Sequence, residues 1–370
     1  MRSASGPFTA TRLSAWSDVP ADWSAARRTP FQSAAFLGAW YATLGVRAGS
    51  RPVIIDVRQD GAPAMLLPMV YEANGLRALR FADADVADNC APLLGEGAPL
   101  TPETFRLAWL AALRAMPAAD IISIEKQSDL IAGQYNPLRW LGRHQPSPLQ
   151  SHPLTIGGTF EEYSRGRSKK FRKEQERIWR VFTRSPDATF ELVAAPDRAL
   201  AILADMDRLQ SARMADVGAN YQLDEPVYAA FYRALVELGV GHGAVVLGAL
   251  TAADETVAAL LGVSNGESVA FVRLAHAGGE WANCSPGRLV IERTLMALHD
   301  AGIRQFDFSI GDQHYKEPFG VGTAPLTDVD VPVSWRAWPT IAANRARAQL
   351  RQFRALRVMY DRVRRQRTAA

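Results

Sequence analysis

The chain has 370 residues, 48% of them apolar, which is enough for two globular halves with cores of their own. Its only cysteines, Cys90 and Cys284, lie far apart, arguing against a disulfide framework or a multi-cysteine metal centre and for a reducing compartment. The formal charge of +4 is concentrated in a tail: Arg345 to Arg367 holds nine arginines against Asp361 alone, leaving residues 1–344 at −4. A basic tail gives no reason to expect the body to bind DNA.

The N-terminus lacks the apolar core of a secretory signal, and no apolar run is long enough to span a bilayer, so a cytoplasmic protein is expected. Phe31 to Leu44 has helical apolar spacing. The runs RPVIIDVRQ and APAMLLPMVYE read as a β-hairpin turning at Gln59 to Gly61. An acid-rich loop, Phe81 to Gly97, precedes a helix from Pro102 to Met116 with Thr101 as N-cap, then a strand from Asp120 to Glu125. This half holds no glycine-rich phosphate loop. Residues 132–158, rich in Pro, Gly and His, read as a connection, with a boundary near 150 and with His144 and His152 as exposed loop residues rather than metal ligands.

From Ser164 to Phe182 the chain carries eight basic residues against two glutamates, while Phe171, Ile178 and Phe182 form one apolar helical face. On its exterior Lys169 and Arg172 are candidates for holding an anion or a substrate. A strand, two helices (Pro196 to Met214 and Pro226 to Leu238) and three consecutive strands from Gly243 to Ala277 follow. They lead into CSPGRLVIERTLMALHDAGIRQFDFSIGDQHYKEPFG, the segment richest in candidate chemistry. Ser285 is the expected N-cap, with Pro286 at the first helical position and Gly287 allowing close approach to the backbone. The amides of Gly287 and Arg288, the helix dipole and the Arg288 charge suit a pyrophosphate. Gly302 stops the helix, and in the strand QFDFSI the apolar Phe306, Phe308 and Ile310 face away from Asp307 and Ser309. Asp312, His314, Tyr315 and Lys316 follow at once.

The run SPG-x-L before a helix, FDFSIGDQHYKEPFG after it and the upstream SKKFRKEQERI closely resemble the bacterial acetyltransferase family associated with cellulose and capsule polysaccharide synthesis. That family belongs to the GCN5-related N-acetyltransferase superfamily and is similar to the FemAB-type transferases. The resemblance covers about residues 160–325, and more loosely FQSAAFLGAWY and DNCAPLL in the first half. It implies an α/β fold of two tandem acetyltransferase-like domains, 1–150 degenerate and 151–335 catalytic; residues 336–370 read from their own spacing as a basic amphipathic helix, with Leu350, Phe353, Leu356, Tyr360 and Val363 along one stripe. It also implies acyl-CoA, acetyl-CoA or longer, as co-substrate, with no permanently bound cofactor. Ser285, Pro286 and Gly287 would meet the pyrophosphate, and Asp307, Gly311, Tyr315 and Lys316 match the family's D-x-x-x-G-x-x-x-Y-K pattern. The superfamily's usual Gln/Arg-x-x-Gly-x-Gly/Ala loop is not intact here.

The reaction expected is attack of an amine on a thioester, with Asp307 or His314 as base, Tyr315 as acid and Lys316 toward an anionic substrate group, while Asp312 is a candidate for binding the substrate. Cys284 beside a helix start raises an acyl-enzyme alternative. The acceptor expected is a small-molecule or lipid-linked amine of the cell envelope, an amino sugar or an amino lipid. Residues 341–370 are expected to touch an anionic membrane surface, placing the protein peripherally on the inner face. The competing readings are an aminoacyl-tRNA-dependent transferase, the only one in which tRNA is a partner, and a non-catalytic precursor-binding or scaffold protein.

Overall fold

The computed structural model of the chain describes residues 8–73, 75–142, 144–216, 222–311 and 314–346. The first half contributes β1 (Phe8–Leu13), α1 (Ala34–Ala42), β2 (Ser50–Gln59), β3 (Ala62–Glu72), β4 (Ala78–Phe81), β5 (Leu93–Leu94), α2 (Pro102–Ala115) and β6 (Ile121–Gln127). A small hairpin, β7 (Leu130–Ile131) with β8 (Gln134–Tyr135), and β9 (Gln145–Ser151) follow. The second half runs β10 (Pro153–Thr155), α3 (Phe160–Arg165), α4 (Lys169–Phe182), β11 (Thr189–Leu192), α5 (Pro196–Asp216), α6 (Pro226–Gly239), β12 (Val245–Ala252), β13 (Glu255–Ser264), β14 (Ser268–His276), α7 (Pro286–Asp300), β15 (Gln305–Asp307) and β16 (Ala324–Pro332).

Two mixed sheets result, and they repeat one plan. The first has the order β1-β2-β3-β4-β6-β16-β9 and the second β11-β12-β13-β14-β15-β10. In each, an antiparallel run ends on a parallel pair joined by a crossover helix: β4 with β6 through α2, β14 with β15 through α7. Both central hairpins turn through two residues of positive φ, Asp60–Gly61 and Ala253–Asp254, the twist that two-residue β-turns need. The strand closing each plan comes from elsewhere in the chain. β10, at the end of the connection, pairs with β15, while β16, from the far end of the second half, returns to pair with β6 and β9. The stretch 151–335 is therefore not one unit, since its last strand completes the first sheet.

The connection is more ordered than its composition suggests. Gln145–Ser151 is an edge strand, where Pro146 and Pro148 remove no central ladder bonds, and His152 at its end is only 8% exposed. Among the described residues no group of His, Cys, Asp and Glu could hold a metal ion.

α1 is apolar throughout, buries Ala35, Phe36, Leu37, Ala39, Trp40 and Tyr41, and packs against α6. Phe36 meets Phe231 of α6 edge to face at 5.3 Å, so one apolar core runs across both halves. A second core under β12–β15 holds Ile178 and Phe182 of α4 with Ile291, Leu295 and Leu298 of α7. At the C-terminal end, Ile341 is buried against Ala78 and Ile121, anchoring the first residues of the expected tail helix. Residues 347–370 lie outside the described residues. No described helix is long and apolar enough to cross a membrane.

Candidate active site

β14 and β15 pair over three residues only, Ser268 with Gln305, Val269 with Phe306 and Ala270 with Asp307. β14 then continues to His276, while the other chain turns away. The expected strand from Gln305 to Ile310 stops at Asp307 because Ser309 (φ 59°) and Gly311 (φ 96°) take left-handed conformations. The two chains splay apart, and a cavity of about 820 Å³ opens between them, closed by the start of α7, the last turns of α5 and a loop of the first half. This is the end of a parallel pair at a crossover, where α/β sheets collect ligands.

At one end of the cavity stand Ser285, Pro286, Gly287 and Arg288. Ser285 occupies the N-cap position with φ 45°, and its side chain makes no capping bond. Its carbonyl instead accepts the amides of Arg288 (3.0 Å) and Leu289 (3.1 Å), so the Arg288 amide is not the open donor expected. That leaves Gly287, whose amide has no partner among the described residues. A Cβ on Gly287 would lie 2.9 Å from Cδ2 of His276, so glycine here admits the imidazole as well as any ligand. With Nδ1–H donating to the Ala277 carbonyl (3.2 Å), Nε2 accepts from Arg213 Nη1 (3.3 Å). The pair brings a second arginine to this end of the cavity. Sequence reasoning missed both, since they come from two elements 63 residues apart.

The other end corrects several expectations. Asp307 is occupied: its carboxylate accepts from Ser151 Oγ (2.5 Å), the His152 amide (3.1 Å) and the Ser309 amide (2.8 Å), fixing the turn that opens the cavity. His314 projects outward with its side chain 92% exposed, 3.4 Å from Glu317, and does not line the cavity. Lys316 lines it but is 3% exposed, donating to the carbonyls of Ser309 (3.1 Å), Ile310 (2.9 Å) and Gly311 (2.9 Å). Its ammonium holds the loop rather than reaching out to a substrate. Tyr315 lines the cavity, and burial raises the pKa of its hydroxyl, keeping the proton on. Asp312 lies outside the described residues. Lys169, exposed, and Arg172, which donates to the Arg165 carbonyl, sit on α4 away from the cavity lining. Cys284 is buried, its thiol donates to the Trp281 carbonyl, and burial raises its pKa, so the acidified nucleophile of the acyl-enzyme alternative is not formed.

The carboxylate that does face the cavity is Asp88, carried across from the first half by the loop after β4. Burial pushes its carboxyl up to about 6, with Asp307 and Asp83 adding to the rise and Lys126 opposing it. The buried Ser309 hydroxyl lies beside it and opposes the rise. A half-buried carboxyl poised near neutrality on the wall of a cavity is what a proton acceptor for an incoming amine needs. Asp88 stands in the DNCAPLL stretch, yet nothing in its spacing distinguishes it from Asp83 or Asp85 in the same loop. The corresponding point of the first sheet, between β4 and β6, holds a smaller cavity of about 240 Å³, whose Arg47 and Arg80 are both paired with Glu72.

Residues 169–317 match the family model described as an acetyltransferase (GNAT) domain. The matched stretch includes α4, Lys316 and the second-half part of the cavity lining, Asp88 lying outside it. Among solved structures, FemX superposes with a TM-score of 0.62 at 10% identity, covering 90% of this chain and 99% of its own. A conserved protein of unknown function from Bacteroides thetaiotaomicron gives 0.51 at 14% identity, over 82% and 91%. At such identities the likeness concerns the fold alone. A search of curated proteins found no match to the sequence.

Proposed function

We propose that the protein is an acyl-CoA-dependent N-acyltransferase that joins an acyl group to an amine of a cell-envelope precursor by direct attack in a ternary complex. The observation carrying this reading is the cavity itself. Its Gly287 end has an open amide, a helix dipole and two arginines suited to a pyrophosphate, and Asp88 on its wall is suited to take a proton from an amine. In the reaction the amide C–N bond forms as the thioester C–S bond breaks. Asp88 takes the proton that the ammonium must lose before attack, Tyr315 supplies one to the departing thiolate, and the second amine proton restores Tyr315. Coenzyme A thioesters of graded chain length, offered with an envelope extract and followed by thiol release and product mass spectrometry, test it. Absence of thiol release with every acyl length and every amine fraction refutes it.

The acceptor class follows from the family resemblance, which favours an amino sugar, and from the chain's C-terminal end, which favours a lipid-linked amine. Trp335 and Trp338 are 76% and 48% exposed just ahead of the arginine-rich segment, a pairing of interfacial aromatics with basic residues suited to an anionic bilayer surface. Flotation with phosphatidylglycerol vesicles should be lost on removing residues 341–370. Equal flotation of both chains would exclude this surface. The exposed cations of α4 support one other donor, an aminoacyl-tRNA, which steeply salt-dependent tRNA binding would favour.

A further inference from the structure

We propose that Lys126 is a positioning residue: it clamps both ends of the loop that carries Asp88 across the two halves and so sets where, and at what pH, the amine proton is accepted. This rests on the reading of Asp88 as that acceptor. The clamp has three parts. The Lys126 ammonium donates to Asp83 Oδ1 at 2.7 Å, at the start of the loop. The Lys126 carbonyl accepts the Cys90 amide at 3.0 Å, at the end of the loop. The Lys126 amide donates to Asp328 Oδ1 at 2.9 Å, on β16, the strand that returns from the far end of the chain. Within the loop, Asp83 also accepts the Ala87 amide (3.3 Å), one residue before Asp88.

Two features show that this is a built arrangement. Lys126 is 4% exposed, a burial an ammonium tolerates only among compensating charges. It also takes φ 53°, a conformation an unbranched non-glycine side chain adopts at a cost and keeps only where its surroundings dictate it. The charged and titratable groups facing it are Asp83, Asp88 and Cys90 from the loop, Glu125 beside it and Asp328 from β16; Asp88 further faces Asp307 from β15. The balance has a sign. Lys126 lowers the Asp88 carboxyl and Asp83 raises it, so removing either charge moves Asp88 in opposite directions.

The test is the acid limb of kcat/KM against pH, together with a carbon-13 NMR titration of the Asp88 carboxyl assigned with Asp88→Asn. Lys126→Met should shift both upward by more than about one pH unit and lower kcat, Asp83→Asn should shift both downward, and Lys126→Arg should hold the limb while lowering kcat. A merely structural lysine would lower stability or turnover without moving the limb or the titration, and an unmoved titration in both Lys126→Met and Asp83→Asn overturns the proposal. Thermal melts identify any variant that does not fold, in which case the Arg and Asn variants carry the test. Full activity in Asp88→Asn would overturn the acceptor role instead, while the NMR titrations still decide whether Lys126 tunes that carboxyl.

Discussion

Replacing Asp88 by asparagine should make the protein more stable and nearly inactive. The fold holds this carboxyl at about 6 against 3.8 in the open chain, so the neutral acid is the form the folded state prefers. Stability from this group is therefore fully present below 3.8 and is lost as the pH rises through about 6. At 1.36 kcal/mol per pH unit the gap is worth up to about 3 kcal/mol at pH 8, which asparagine, uncharged throughout, would recover. Turnover should fall by at least about a hundredfold, the usual worth of a positioned base. Urea denaturation at pH 8 and pH 4, beside kcat/KM on the same preparations, reads both effects. The expected stability difference is large at pH 8 and shrinks toward pH 4. A variant less stable than the parent at pH 8 would make Asp88 an ordinary ion-pair partner of Lys126, and turnover within about tenfold of the parent would remove it from the chemistry.

The remaining predictions separate scaffold from chemistry. Asp307→Ala strips the acceptor from Ser151, His152 and Ser309 and should cost roughly 2–3 kcal/mol in urea denaturation. Asp307→Asn keeps an acceptor for both amides and should hold turnover within about tenfold; a stable but inactive Asn variant would return the base to Asp307. His314→Ala and Cys284→Ser should leave kcat within about twofold, since one side chain faces solvent and the other is a buried thiol, and a hundredfold loss in either would contradict the site described. Gly287→Val drives a side chain into the His276 ring and toward the open amide, so KM for the thioester should rise by about tenfold or more with folding intact.

How much of this was legible in the sequence depended on the range of the interactions. The two hairpins, α4 and α7 follow from local periodicity and turn residues, and the Ser285–Arg288 end of the cavity from a short motif. The prolines of β9 concealed a strand because an edge tolerates what a central position forbids. β16 and its bond to Lys126 join residues 202 apart, a pairing no window of sequence contains. Asp307 and Lys316 read from the motif as catalytic, but a motif does not reveal whether a charge faces a ligand or its own loop. Here backbone amides and carbonyls absorb both. Asp88 was the reverse case, an unremarkable member of an acidic loop given its character by burial against the other half.

Calorimetric titration of the full-length protein with acetyl-CoA tests the core of this description most directly. The geometry predicts one site per chain, retained in Asp88→Asn and weakened by about tenfold or more in Gly287→Val. No heat of binding with acetyl-CoA or with any longer acyl-CoA, or binding that Gly287→Val leaves untouched, would contradict it.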